Sequence, residues 1–276
     1  MKPSRKIYAF YRRLMSPIIR LRLAEQRQLV NSHPLPGTLI VSLTSYRPRF
    51  RYLDLALVSL LDQTIRPDRL ILWVAEHEMK YLPRSVMTLQ SAGLEIRGTQ
   101  DLKSYKKLIP TIARHPDAFI ATADDDVFYP RTWLATLCDG QNERSIITCH
   151  RAHRIPPPAP DGLCAYRDWE WDVLDSKALT PSSNLLATGV GGVLYPPRSL
   201  HSDVTNDEMF MCLCPQADDL WFYWMARRAG SQYVKVGPRF PLLHLPGTTE
   251  NGLFNMGVND AQIANLFNDF GPPFDG

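Results

Sequence analysis

The chain has 276 residues, of which 45% are hydrophobic and 21% are charged, and its formal net charge is +3. These values are ordinary for a soluble globular protein, and a chain of this length can bury the core of one large α/β domain or of two small ones. It contains no uninterrupted run of about 18 or more apolar residues, so the sequence predicts no membrane-spanning helix.

The first 30 residues carry most of the excess positive charge. They hold eight basic side chains and one acidic side chain, a net charge of +7, and apolar residues alternate with the arginines. We expect a basic amphipathic helix over 1–30, which Pro17 would kink or divide. Such a segment either lies on an anionic membrane surface or packs on the domain or on a partner. Turn-forming residues over 31–37 predict a linker.

From residue 38 onward, apolar strands alternate with segments of helical spacing. The predicted strands are 38–44, 69–75, 94–97, 119–122, 145–148 and 233–236, with a short apolar run at 242–245. The predicted helices are 53–63, 85–92, 102–114, 133–139 and 218–229. This alternation predicts an α/β domain over 38–276, with a Rossmann-like, mostly parallel sheet and helices on both faces.

Three consecutive carboxylates, Asp124, Asp125 and Asp126, directly follow the strand predicted over 119–122. Crowding them there is costly, because each repels its neighbours and partial burial increases the penalty. A divalent cation such as Mn²⁺ or Mg²⁺ removes this conflict, since hard cations bind several oxygen ligands. Asp124 and Asp126 point the same way in an extended segment. The segment therefore predicts a metal site; the alternative is an acidic loop or a helix cap.

Polar side chains also follow the first strand, and ligands of parallel α/β sheets bind beyond the carboxyl ends of the strands. The hydroxyl of Thr44, the ring of Tyr46 and the guanidinium of Arg47 suit a nucleotide. Lys103 and Lys107, on the helix predicted before the acidic strand, are candidates for phosphate contacts, although lysines on helices are commonly solvated. The body outside 1–30 has a net charge of −4, which argues against nucleic acid as a partner.

Several segments in this order resemble the GT-A class of glycosyltransferases, particularly the family-2-like bacterial enzymes. The matching segments are 40–47, 55–64, 67–73, the Asp-x-Asp motif at 124–126, 191–198, and 217–224 followed by Gly230. The resemblance implies the GT-A fold over about 38–245. Within the predicted domain it implies a nucleotide-binding half (38–130) and an acceptor half with a C-terminal tail (131–276). It also implies a hexosyltransferase-type enzyme that uses a divalent metal and inverts the transferred sugar. The implied donor is a nucleotide sugar, a UDP-sugar above all, and the acceptor a glycan or lipid-linked molecule of bacterial surface polysaccharide synthesis.

The resemblance further assigns roles to individual residues. Asp219 is implied as the catalytic base with Asp218 as its competitor, and the alternative for this pair is N-terminal helix capping. His244 is implied as a third metal ligand, and otherwise is a structural histidine. Asp125 is placed with the nucleotide. The acceptor side is implied at Gly191, Gly192 and Trp221, where the glycines indicate close approach of the backbone to another group and the tryptophan is otherwise a core residue.

Other function classes share parts of this pattern. A nucleotidyltransferase or phosphotransferase would use the same Asp-x-Asp metal site, but it would need a glycine-rich phosphate loop where residues 44–49 contain no glycine. A haloacid-dehalogenase phosphatase would carry the motif on its first strand. A non-catalytic carbohydrate-binding protein of a polysaccharide assembly complex would ignore nucleotides. Five scattered cysteines without a C-x-x-C pair favour the cytoplasm, with a peripheral position on the inner membrane face if 1–30 bind lipid.

Overall fold

The computed structural model describes residues 31–141, 143–157, 164–244 and 258–274. The basic amphipathic helix expected over 1–30 lies outside the described residues. Among the helices that are described, none combines the length and apolarity needed to cross a membrane. Asn31 and Ser32, at the start of the predicted linker, pair in parallel with Ile65 and Arg66.

The strands are short to medium in length and most are buried. In chain order they are β1 (Asn31–Ser32), β2 (Leu39–Thr44), β3 (Ile65–Arg66), β4 (Arg69–Ala75), β5 (Leu94–Thr99), β6 (Phe119–Ala123), β7 (Val127–Phe128), β8 (Ile146–Cys149), β9 (Ala152–Arg154), β10 (Leu185–Ala187), β11 (Val193–Tyr195), β12 (Gln232–Lys235) and β13 (Leu243–His244). The α-helices are α1 (Leu53–Leu61), α2 (Arg84–Met87), α3 (Ile109–Arg114), α4 (Trp133–Asp139), α5 (Asp207–Leu213), α6 (Asp218–Arg228) and α7 (Asn259–Phe270). Single 3₁₀ turns connect several of them.

Seven of the described strands form the central sheet, in the order β12-β8-β11-β6-β2-β4-β5. β2 runs parallel to both β4 and β6, β4 to β5, and β8 to β12, whereas β11 is antiparallel to both of its neighbours. The prediction of a mostly parallel sheet is therefore confirmed. The carboxyl ends of β2 and β6, at Thr44 and Ala123, lie at the same edge.

Helices cover both faces of this sheet, as predicted. Successive strand residues point to opposite faces, so Ile40 belongs to one buried apolar cluster and Val41 to another. The cluster around Val41 includes Leu57 of α1, and the cluster around Ile40 includes Phe222 of α6. The acidic loop after β6 thus leaves the sheet between two packed cores.

The structure departs from the predicted elements in several ways. The helix predicted over 85–92 is α2 followed by a 3₁₀ helix (Thr88–Ala92), and β1, β3, β7, β9, β10 and β11 were not predicted as strands. The helix predicted over 102–114 is a 3₁₀ helix (Lys103–Lys107) followed by α3, with Leu108 between them. Pro110 is the cause, because proline is tolerated in the first turn of a helix but not in its interior. Helices α5 and α7 were not predicted. α7 buries Ile263 and Leu266 in the cluster that contains α6.

Candidate active site

The acidic loop (Asp124–Asp126) is fixed to the loop after β2 through its middle carboxylate. Asp125 Oδ2 accepts a hydrogen bond from Ser45 Oγ at 2.5 Å, and Asp125 Oδ1 accepts one from Arg49 Nη1 at 2.7 Å. The same Arg49 nitrogen lies 3.3 Å from Asp126 Oδ2. Burial raises the pKa of Asp125 to about 6, against the opposing charge of Arg49. The two strand ends are therefore tied together by a carboxylate that was predicted to bind the nucleotide.

Lys107 lies at the centre of the site. Its Nζ is 2.9 Å from Asp218 Oδ2, 3.2 Å from Asp124 Oδ1 and 3.7 Å from Asp219 Oδ1. The side chain is only 7% exposed. Burial disfavours the ammonium, but the three carboxylates hold the pKa of Lys107 well above its ordinary value. The structure thus brings together the acidic loop, the predicted base motif and one of the two lysines predicted to bind phosphate.

Asp219, at the start of α6, has the properties of a base that works near neutral pH. Its Oδ2 accepts a hydrogen bond from the Gly189 backbone N–H at 3.0 Å, and its side chain is 32% exposed. Burial, with the charges of Asp218 and Asp124, raises the pKa of Asp219 to about 7, although Lys107 opposes the shift. Asp218 is almost fully buried, with a side-chain exposure of 7%. Neither carboxylate caps α6, whose N-cap residue Ala217 makes no side-chain hydrogen bond.

Residues 188–192, hereafter the glycine loop, connect Asp219 to the acidic loop. Gly189 donates to Asp219, and the hydroxyl of Tyr129 donates to the carbonyl of Val190 at 3.3 Å. That hydroxyl also accepts a hydrogen bond from the Asp124 backbone N–H at 2.8 Å. A Cβ added to Gly189 would overlap Lys107 Nζ and lie 3.0 Å from Asp219 Oδ1. The backbone therefore approaches Lys107 and Asp219 closely at Gly189, and a side chain at this position would displace the ammonium of Lys107.

The residues predicted on the acceptor side pack against other parts of the chain. A Cβ added to Gly191 would lie 2.7 Å from the Cβ of Arg151, and one added to Gly192 would overlap the ring of Trp133. Gly192 also has a φ of +92°, which favours glycine. Trp221 is completely buried, and its indole N–H donates to the Val204 carbonyl at 3.0 Å. Its surroundings are those of the core residue that was the alternative interpretation.

The remaining candidates for nucleotide binding lie around the loop after β2 and on the surface. Tyr46 is 39% exposed, and the Arg47 guanidinium stacks 3.9 Å from the centre of the Tyr81 ring. The hydroxyl of Thr44 donates to the Trp73 carbonyl at 2.9 Å, so it is engaged within the sheet. Lys103 is exposed and its Nζ donates to the Pro215 carbonyl at 3.2 Å. Tyr46 lies next to the acidic loop, because Arg49, which donates to Asp125, has its guanidinium 5.6 Å from the centre of the Tyr46 ring. The ring of Tyr46 remains accessible to a ligand.

The metal prediction rests on the carboxylates of Asp124 and Asp126. Their oxygen atoms are the donor type that Mn²⁺ and Mg²⁺ prefer, and both side chains reach the carboxyl edge of the sheet. Asp124 lies 3.2 Å from Lys107 Nζ, and Asp126 lies 3.3 Å from Arg49 Nη1. A bound metal would therefore share each carboxylate with a protein cation. The backbone of His244 pairs with Val127, next to Asp126, and its side chain lies outside the described part. Within the residues that are described, no group of three or more potential ligands has metal-binding geometry.

Two contributors to this arrangement were missed at the sequence level, Arg49 and Tyr129, which form contacts to the acidic loop. Arg49 carried a signal, because it belongs to the polar loop 44–49. Tyr129 carried none, since an aromatic residue after a strand is usual. Gly189 belongs, with Gly191 and Gly192, to the glycine-containing segment in which close approach of the backbone was predicted, and its N–H donates to Asp219.

No protein-family model matches this sequence, and no curated protein matches it. Among solved structures, the mannosyltransferase PcManGT from Pyrobaculum calidifontis, in complex with GDP-Man and Mn²⁺, is similar over 90% of this chain and 69% of that chain, with 15% identity and a TM-score of 0.46. A 4-diphosphocytidyl-2C-methyl-D-erythritol synthase is similar over 84% of this chain and 100% of that chain, with 12% identity and a TM-score of 0.43. The inositol-1-phosphate CTP transferase from T. maritima is similar over 83% and 96%, with 10% identity and a TM-score of 0.43. These TM-scores are too low to carry an argument about the reaction.

Proposed function

We propose that this chain is a GT-A glycosyltransferase that transfers a sugar, with inversion, from a nucleotide-sugar donor to a hydroxyl group of a glycan or lipid-linked acceptor. One observation carries the proposal. A carboxylate with a pKa near 7, Asp219, is held beside the Asp-x-Asp loop by Lys107 and Gly189. The order of the sequence segments that resemble GT-A enzymes supports the same reaction class.

In this proposal Asp219 is the general base. Its ionised carboxylate takes the proton of the acceptor hydroxyl while the acceptor oxygen bonds to the anomeric carbon of the donor. The bond from that carbon to the diphosphate oxygen breaks, and the nucleoside diphosphate leaves with the electron pair. A base is most efficient when its pKa lies near the working pH, and that of Asp219 is about 7. Asp218 is too buried to reach an acceptor, so its role is to hold Lys107.

The donor binds along the carboxyl ends of β2 and β6. The exposed ring of Tyr46 stacks on the nucleobase, and Arg47 lies at the rim of the same site. Asp124 and Asp126 are the residues that would hold Mn²⁺ or Mg²⁺, and the ion would supply positive charge to stabilise the departing diphosphate. Asp125 fixes the conformation of the acidic loop through the hydrogen bonds that it accepts from Ser45 and Arg49. UDP-sugars are the first donors to test.

The cellular setting is part of the proposal. The +7 charge of residues 1–30, interleaved with apolar side chains, suits the anionic inner face of a bacterial membrane. An enzyme held there would meet lipid-linked acceptors from its cytoplasmic side. Surface polysaccharide synthesis is a process that supplies such acceptors.

The proposal is tested in two stages. Isothermal titration with UDP, GDP and CDP, each with and without Mn²⁺, should show one nucleotide that binds only when the metal is present. A screen of the matching nucleotide sugars should then show slow release of nucleoside diphosphate without acceptor. Release of pyrophosphate from a nucleoside triphosphate and a sugar phosphate would identify a nucleotidyltransferase instead. A protein that binds no nucleotide under either condition would not be a glycosyltransferase.

A further inference from the structure

We infer that Lys107 is a positioning residue, which holds Asp218 and Asp219 of the base motif against Asp124 of the acidic loop and does not contact the donor phosphates. The inference deepens the proposed function, because it concerns the geometry of the same site. It replaces the expectation, drawn from the sequence, that Lys107 binds phosphate. Three features of the structure carry it: the partners of the ammonium, the space around it and the anchoring of its backbone.

The partners of Lys107 leave no place for a phosphate. Carboxylates of Asp124, Asp218 and Asp219 lie within 3.7 Å of its Nζ, and the backbone of Gly189 closes a further side. One ammonium beside three carboxylates gives the cluster a formal charge of −2. A diphosphate brought to the same ammonium would be repelled at short range by the carboxylates of Asp218 and Asp219, which are not among the proposed metal ligands.

The backbone of Lys107 is held firmly in place. Tyr105, two residues before Lys107 on the same 3₁₀ helix, is fully buried and stacks on Phe210 with ring centres 4.0 Å apart. Its hydroxyl group donates a hydrogen bond to the Cys214 carbonyl. Phe210 belongs to α5 and Cys214 follows it, only a few residues before α6 begins. The 3₁₀ helix that carries Lys107 is therefore fixed to the segment that leads into the base motif.

Lys107 consequently connects the two parts on which transfer depends. Asp124 belongs to the donor side, and Asp219 belongs to the acceptor side. Without the ammonium, three carboxylates would face each other with no counter-charge inside the cluster, and Asp219 would move away or take up a proton. Proper placement of a base relative to the reacting atoms accounts for large factors in enzyme rates, so a shift of about 1 Å is costly.

The effect of Lys107 on Asp219 can be measured as a change in the pKa of Asp219, which depends on the charged and titratable groups around it. Lys107 is the cation among them, and the other groups are Asp124 and Asp218, with the phenols of Tyr105, Tyr166, Tyr195 and Tyr233. Burial and the charge of Asp219 together raise the pKa of Tyr166 to about 12. Because Lys107 opposes the upward shift at Asp219, its removal should raise the pKa of Asp219 further.

The experiment compares Lys107→Met with the matched control Lys106→Met. Lys106 is equally buried, at 3% exposure, but its carboxylate partner Asp101 is 49% exposed and lies outside the site. Three quantities are measured on each full-length protein: the affinity for whichever of UDP, GDP and CDP the wild type binds with Mn²⁺, the kcat and KM for the donor found in the screen, and the carboxyl ¹³C titration of Asp219.

We expect Lys107→Met to keep its nucleotide affinity and donor KM within about threefold, while kcat falls at least about a hundredfold and the Asp219 titration moves to higher pH. Lys107→Arg should restore part of the kcat, and Lys106→Met should match the wild type. Loss of nucleotide affinity by more than tenfold with an unchanged Asp219 titration would overturn the inference and assign Lys107 to the phosphates. If Lys107→Met does not fold, Lys107→Gln gives the same comparison. A wild type that binds no nucleotide refutes the proposed function, whereas the Asp219 titration still decides the role of Lys107.

Discussion

Asp219→Asn is expected to damage catalysis and to stabilise the fold. The folded protein holds the pKa of Asp219 near 7, above the ordinary value of 3.8, mainly through burial. Between these two values the folded state binds a proton that the unfolded state has released. The contribution of Asp219 to the free energy of unfolding is therefore fully present below about pH 4 and is lost as the pH rises towards 7. Asparagine carries no charge and escapes this loss.

The size of the gain follows from the shift and from the exposure of the side chain. A shift of about three units corresponds to about 4 kcal/mol at face value. Asp219 is 32% exposed, so solvent screens part of its unfavourable interactions. We expect Asp219→Asn to raise the free energy of unfolding at pH 8 by about 1–2 kcal/mol, and to leave it unchanged at pH 4. Urea unfolding followed by tryptophan fluorescence at both pH values measures the difference.

The same variant should lose turnover by at least about a hundredfold, the usual scale for removal of a general base. Wild-type kcat should rise with pH through about 7 as Asp219 ionises, and this rise should be absent from the variant. Asp218→Asn is the matched control, because it makes the same chemical change at the neighbouring side chain, which is buried against Lys107. A variant less stable than wild type at pH 8 would refute the electrostatic reasoning. A turnover loss below tenfold, about 1.4 kcal/mol, would refute the assignment of the base.

Three further changes test other parts of the site and the chain. Asp126→Ala should abolish metal-dependent nucleotide binding in isothermal titration while the circular dichroism spectrum stays unchanged; retained activity within tenfold would remove Asp126 from the metal site. Gly189→Ala should lower turnover more than tenfold because the new Cβ overlaps Lys107 Nζ, whereas Gly37→Ala, which meets only ordinary contacts, should match the wild type in the same assay. Deletion of residues 1–30 should leave donor hydrolysis intact but reduce co-sedimentation with anionic vesicles. The reduction should be larger at low salt, where the exposed charges are less screened. Equal pelleting of the full-length and truncated proteins would identify the segment as a packing helix.

Most strands of the sheet could be predicted from the sequence, because the central ones, such as β2, β4 and β6, are largely apolar runs bounded by turn formers. β2 and β6 are buried along their length between the two cores, so most of their residues are apolar. Such strands can be recognised from their own composition. The acidic loop could be found for the opposite reason, since three carboxylates beside a buried strand are unusual. β11 was not among the predicted strands, and its direction could not have been predicted either, because an apolar run of three residues carries no sign of its direction.

The environment of Lys107 shows what local sequence leaves out. On a helix, a lysine near an acidic strand is usually solvated or free to meet a ligand. Here its partners Asp124 and Asp218 come from distant parts of the chain, and burial is decided by how these parts pack. Trp221 is a similar case. Its position two residues after Asp219 suggested an acceptor platform, but the helix turns it into the core, where it contacts Phe210 and Phe270.

The position of β11 bears on how the chain can be divided and how it folds. β6 is bordered on one side by β2 and on the other by β11, and Val193 of β11 pairs with Thr122 of β6. A nascent chain that has emerged only as far as residue 130 therefore has β6 as an open edge, with the apolar sequence Phe-Ile-Ala-Thr-Ala and unpaired backbone groups. Such an edge is a template for intermolecular strand pairing. A fragment limited to 38–130 should consequently aggregate, and the edge of β6 is covered only after residue 195 has been synthesised.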